Sequence, residues 1–221
     1  MSPTIIRTAD GEAAGREAAA RTAGAIAEAL AARGVAHIGL AGGTTPRRAY
    51  TLLGPLVPDW SAVHLWFGDE RCVGPDDPDA NVRMVRESLV APGAIIHRIE
   101  GERGAEAAAE HYAALLGDTV LDLAMLGLGE DGHTASLFPD NPGLDATGVA
   151  VGVHDAPKPP PDRVSLTLPT LNGARAILLL TEGAGKAQPL AAALGEPTRH
   201  VPSSLLDRDR LTVVADAAAL P

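Results

Sequence analysis

Apolar and polar positions along the chain follow two rhythms, one with a helical period and one made of short buried runs. Residues 11–33 set Ile26 and Leu30 four apart among alanines, with Arg16, Glu17, Arg21 and Glu28 mostly on other faces. This predicts an amphipathic helix that stops at Gly34. Residues 35–41 read as a short strand, and a helix runs from the following GGTTP turn to about Leu53. A loop with Pro58 leads to a second strand over 62–67, which ends at Gly68-Asp69-Glu70-Arg71. The polar, proline-broken stretch GPDDPDA then gives way to a helix near 81–89, and 105–116 predicts another. Later strands fall around 149–154, 163–168, 174–181 and 211–215, with helices over 183–194 and at the C-terminal end. Strands alternating with helices predict an α/β fold whose largely parallel sheet is covered on both faces. No internal repeat is present, and the alanine tracts read as helix formers.

The third strand opens the most informative stretch, LDLAMLGLGEDGHTASLFPD at 121–140. An apolar run over 121–126 fits a fully buried strand. Gly127, Gly129 and Gly132 punctuate its exit, with Glu130, Asp131 and His133 between them. Open α/β sheets bind ligands outside the carboxyl ends of their strands. The alternative is a tight turn whose histidine is satisfied by a neighbour.

Composition narrows the class. The 221 residues show no linker-like break, so one domain over 1–221 is expected. Such a chain buries roughly 70–75% of its unfolded surface and needs no disulfide or structural metal. Cys72 is the single cysteine, which excludes an internal disulfide and fits a reducing compartment. Cysteine and histidine show no metal-ligand spacing, no segment is long enough to span a bilayer, and Asp10, Glu12 and Glu17 argue against a transit peptide. A cytoplasmic protein is expected. The net charge of −10 disfavours nucleic acid and anionic membranes as partners.

Three constellations hold candidate chemistry. GGTTP follows a strand and opens a helix, the arrangement that attracts phosphate through free N–H groups and the helix dipole. Thr45 can cap that helix and Pro46 suits its first turn, so an ordinary capped junction is the alternative. It is neither a Walker loop nor a dinucleotide fingerprint. Only Lys158 and Lys186 are lysines among eighteen basic residues. Lys186 opens a helix, where a cation opposes the dipole by about 0.3–1 kcal/mol unless an anion binds there. Arg163 starts a strand after the proline turn bearing Lys158. In GDER, ion pairing among Asp69, Glu70 and Arg71 competes with a role in the site. His37, His64, His97 and His111 read as structural.

LAGGTTP, FGDERCVGPDDPDAN and LGLGEDGHTASLFP, followed by KPPPDRVSLTLPTLNGAR and EGAGKA, closely resemble the 6-phosphogluconolactonases of the wider glucosamine-6-phosphate isomerase/6-phosphogluconolactonase group. The resemblance covers about 35–190. It implies a Rossmann-like three-layer α/β/α sandwich with a mostly parallel sheet. It also implies hydrolysis of 6-phospho-D-glucono-1,5-lactone in the oxidative pentose phosphate pathway, with no metal or organic cofactor. The partner is then a small sugar-phosphate lactone, and the chain a monomer or small homo-oligomer. By the same resemblance His133 is the general base, and Asp131 orients its imidazole or favours the cationic form. Gly42, Gly43, Thr44, Arg163 and Lys186 match phosphate-holding positions, and Arg71 meets either phosphate or oxyanion. Asp69 matches the proton shuttle of the deaminases, and its role in a lactonase is open.

The nearest rival is a glucosamine-6-phosphate deaminase. Those enzymes have a glutamate five residues beyond the histidine, where this chain has Phe138, and usually a tyrosine where it has Arg71. A non-catalytic sugar-phosphate sensor is a second rival, without a helix-turn-helix or basic stripe in its favour. A serine hydrolase is disfavoured because Ser136 lacks the G-x-S-x-G elbow.

Overall fold

The structure, a computed structural model, describes residues 2–220. Its elements run β1 (Thr4–Thr8), α1 (Gly11–Arg33), β2 (Ala36–Leu40), α2 (Thr44–Leu53), β3 (Val63–Phe67), β4 (Asp69–Arg71) and α3 (Asn81–Ser88). Next come β5 (Ile95–Ile96), α4 (Ala105–Leu116), β6 (Leu123–Gly127), β7 (Ala150–Val153), β8 (Arg163–Leu166) and α5 (Leu168–Asn172). The chain finishes with β9 (Ile177–Thr181), α6 (Ala187–Leu194) and β10 (Leu211–Asp216).

Seven strands form one sheet in the order β1-β10-β9-β6-β2-β3-β5, and every pairing in it is parallel. The expected α/β architecture with helices on both faces is present. Central strands such as β9 are buried along their whole length, which is why they read as continuous apolar runs rather than alternations. Helix α1 is capped by Asp10, whose side chain accepts from Ala13 N, and closes on Gly34 in the left-handed conformation.

Several expectations need correction. The strands expected at 149–154 and 163–168 do not join the parallel sheet. As β7 and β8 they pair antiparallel with β4 in a separate sheet of three. The GDER segment, read as a strand ending, supplies β4 itself. β1, β5 and α5 are not predicted from the sequence; they have five, two and five residues, too few for a period to register. The expected C-terminal helix is a turn over 217–219, fixed where Asp216 Oδ1 accepts from Ala219 N. Residues 183–194 divide into a 3₁₀ turn (Ala184–Lys186) and α6.

The chain's two tyrosines, both fully buried, fix the ends of two strands that open into the site. Tyr50 Oη donates to Ala41 O and accepts from Ala41 N, each at 2.8 Å, just ahead of Gly42. Tyr112 Oη accepts from Phe67 N at 2.7 Å and donates to Phe67 O at 3.1 Å, just ahead of Gly68. Each hydroxyl thus satisfies both polar groups of a residue where regular strand pairing runs out.

Candidate active site

A cavity of about 330 Å³ opens where β2, β4, β6 and β8 deliver their loops. Gly42, Gly43, Asp69, Arg71, His133, Arg163 and Lys186 all line it, although the sequence separates them by up to most of the chain. Two expected residues do not. Thr44 is exposed at the start of α2, and Asp131 reaches His133 from an adjoining depression.

The GGTTP turn places Gly43 at φ 101°, a backbone that L side chains rarely adopt, as the residue before α2. The cap expected from Thr45 is absent: no side chain caps α2, and Thr45 Oγ1 donates instead to Glu182 Oε1 at 3.2 Å. No side chain therefore takes up the N–H groups of Thr44 and Thr45, while Arg47 N already donates to Gly43 O. Gly42 is required for a different reason, since a Cβ there would lie 2.0 Å from Asn81 Oδ1.

Of the two readings of GDER, internal ion pairing does not occur. Glu70 turns inward, where its carboxylate accepts from the backbone N–H of Arg71 (2.8 Å), Asn81 (2.7 Å) and Val82 (2.8 Å), capping α3. Burial pushes its pKa up to about 7 against the pull of those three donors. Asp69 is buried and accepts from Ser136 Oγ at 2.6 Å and from Asn81 Nδ2 at 3.2 Å. Arg71 donates to Asp79 O at 2.5 Å and keeps a buried Nε without a partner among the described residues.

Arg163 is the direct cross-strand partner of Arg71. Its guanidinium donates to Pro160 O and Lys158 O, both at 2.9 Å, which ties the proline turn to the site. Burial, then the charge of Arg71, lowers its pKa. Lys158, on that turn, pairs with Glu130 at 3.4 Å, and both line the cavity.

After β6 the chain folds back on itself, with Gly129 N donating to His133 O at 2.8 Å. A Cβ on Gly129 would sit 2.0 Å from His133 Nδ1, so only glycine lets the backbone pass the ring. Nδ1 faces Asp131 Oδ1 at 2.5 Å, and Asp131 also accepts His133 N at 3.1 Å. Burial opposes ionisation of Asp131, but the hydrogen bond from His133 and its charge prevail and hold the carboxyl at about 2. Nε2 has no hydrogen-bond partner among the described residues, the state a proton acceptor requires. Phe138 packs against the imidazole with ring centroids 4.6 Å apart, and the guanidinium of Arg163 lies 5.8 Å from the same phenyl centroid. Ala135 adopts φ 48° on the cavity wall, a strained backbone of the kind that gathers at active sites.

Asn81, Ser136 and Asp79 were missed as supporting residues. All three lie within or beside the quoted motif segments, but spacing gives no sign that their polar groups turn toward Asp69 and Arg71. Phe138, in sequence a departure from the deaminase pattern, is in the structure a wall of the site.

The family of glucosamine-6-phosphate isomerases/6-phosphogluconolactonase matches residues 9–215. A 6-phosphogluconolactonase of Mycobacterium tuberculosis is 39% identical over 215 residues, covering 88% of this chain and 87% of its own. One from Streptomyces coelicolor is 37% identical over 220 residues, covering 87% and 83%. A crystal structure of a 6-phosphogluconolactonase from Shewanella baltica superposes with a TM-score of 0.90 at 29% identity over 98% of both chains. Sequence and topology agree with these matches, and the chain belongs to the glucosamine-6-phosphate isomerase/6-phosphogluconolactonase family.

Proposed function

We propose that the chain hydrolyses 6-phospho-D-glucono-1,5-lactone to 6-phospho-D-gluconate, the activity named for its relatives. The observation that carries the reading is the convergence of an imidazole with a free Nε2 and an anion-seeking turn, with Lys186, on one cavity.

His133 Nε2 takes a proton from water as the oxygen attacks C1 of the lactone. Asp131 keeps the other ring nitrogen as a donor and stabilises the imidazolium that forms. The tetrahedral intermediate collapses with cleavage of the bond from C1 to the ring oxygen, which receives the proton back from Nε2. The new carboxylic acid then loses its proton to solvent. Gly42 and Gly43, the open end of α2 at Thr44, Lys186 and Arg163 hold the phosphate, with Thr44 acting through its backbone. Arg71 adds positive charge against the substrate anion and the charge developing at C1. Asp69, fixed by Ser136 and Asn81, orients the sugar hydroxyls as an acceptor.

The deciding experiment measures lactone hydrolysis above its spontaneous rate beside turnover of glucosamine 6-phosphate. Lactone turnover with negligible deamination is expected. Equal turnover of both substrates, or binding of 6-phosphogluconate without hydrolysis, overturns the assignment. Phe138 already argues against the deaminase reaction, because an apolar ring packs on the imidazole where the deaminases have a carboxylate.

A further inference from the structure

Glu182 follows β9 directly and stands immediately before the turn that bears Lys186. Its carboxylate reaches across to the other anion-seeking turn. Oε1 accepts from Thr45 Oγ1 at 3.2 Å, and Oε2 accepts from Arg48 Nη1 at 3.0 Å, so both partners belong to α2.

This bridge is built into its surroundings. Helix α1 presents Gly11 and Gly15 on one face beneath it. A Cβ at Gly11 would lie 1.7 Å from Glu182 Oε2, and one at Gly15 would lie 3.1 Å from Arg48 Cγ. Two glycines one helical turn apart thus clear a groove for the Arg48–Glu182 pair. The far side is fixed as well: Gly183, at φ 89°, donates its N–H to Asp216 Oδ1 at 2.9 Å, and Lys186 N donates to Gly183 O at 2.9 Å.

We propose that Glu182 is a positioning residue that clamps the start of α2 to the Gly183–Lys186 turn and thereby sets the spacing of the phosphate pocket. The inference rests on the reading of that pocket as a phosphate site. Arg48 is half-exposed and Glu182 a fifth exposed, so their Coulomb attraction contributes little, and the value of the pair is geometric. Arg48 also cancels the charge that an unpaired carboxylate would turn against a phosphate.

That point gives the test its sign. A carboxylate that merely stands near an anion site weakens binding, so its removal tightens phosphate. A clamp predicts the reverse. Inorganic phosphate and 6-phosphogluconate affinities are measured by calorimetry for the full chain and for Glu182→Ala, Glu182→Gln and Lys186→Ala, alongside KM and kcat. Glu182→Ala is expected to weaken phosphate and raise KM by about three- to tenfold, with kcat within about twofold. Glu182→Gln, whose amide oxygen still accepts, recovers most of that loss. Thr45→Val removes one clamp contact without a change of charge, weakens phosphate in the same direction, and keeps the test valid should the alanine variant fold poorly. Unchanged or tighter phosphate binding in Glu182→Ala, or in Thr45→Val where the alanine variant does not fold, with Lys186→Ala weakened, overturns the clamp alone. Phosphate binding untouched by Lys186→Ala overturns the phosphate reading and the clamp with it.

Discussion

Arg71 and Arg163 are Cα partners across the antiparallel β4–β8 ladder, and both side chains line the same cavity. Like charges placed directly opposite each other on paired strands destabilise a sheet. On the proposed function, an anion set against both would convert that repulsion into affinity. Arg71→Gln is therefore expected to lower kcat/KM by about ten- to a hundredfold while the ligand-free melting temperature holds or rises. Added phosphate should raise that temperature less than in the parent. A variant with parental kcat/KM removes Arg71 from the site.

His133→Ala should cut kcat by about 10²- to 10⁴-fold with 6-phosphogluconate affinity little changed, the signature of a lost general base. Asp131→Asn should also lower kcat, because the amide no longer stabilises the imidazolium. Asp131, held at about 2 in the folded chain against an ordinary 3.8, supplies stability that is complete above 3.8 and fades as pH falls through about 2. It stays ionised throughout the working range, so rate–pH profiles taken above about pH 4 should contain no inflection from it. Full activity in His133→Ala would end the general-base assignment.

Tyr112→Phe leaves both polar groups of Phe67 buried without their hydroxyl partner. The expected loss is about 1–3 kcal/mol in urea-induced unfolding. Tyr50→Phe should cost a similar amount and also raise KM, since Ala41 adjoins Gly42 on the cavity wall. Unfolding midpoints equal to the parent's would show that water replaces the hydroxyls at no cost.

Three histidines expected to be structural form a stack on β2, β3 and the residue after β5. His64 Nδ1 lies 2.8 Å from His97 Nε2, His97 stacks on Trp66 at 3.9 Å, and Trp66 Nε1 donates to His37 Nδ1 at 3.1 Å. Burial, then the neighbouring His64, lowers the pKa of both His37 and His97 below 6.5. Groups lowered in this way leave stability intact above the unfolded value and remove it as pH falls through the folded one. Stability should thus decline on acidification below about 6.5, as followed by denaturant midpoints. The His37→Gln/His97→Gln double variant should lose less than the parent between about pH 7.5 and 5. Identical slopes for the two proteins would rule out the stack as the source.

The sequence alone determined what local periodicity and backbone chemistry can encode. The helix over 11–33 matches α1 residue for residue, and the one over 105–116 matches α4, because each pairs an apolar face with a glycine stop. The buried runs became β2, β3, β6 and β9, and the glycine-punctuated exits after β2 and β6 became cavity wall. Tertiary structure decided everything that depends on which strand lies beside which. No spacing in the chain announces that Arg71 stands opposite Arg163, that Ser136 and Asn81 share Asp69, or that Glu182 reaches Thr45 and Arg48. Each contact joins different elements of the chain, and its geometry exists only once the register of the small antiparallel sheet and the stacking of α1 on α2 are fixed. Pairing is a choice made by the whole core at once, whereas a helix or a turn is chosen by its immediate neighbours.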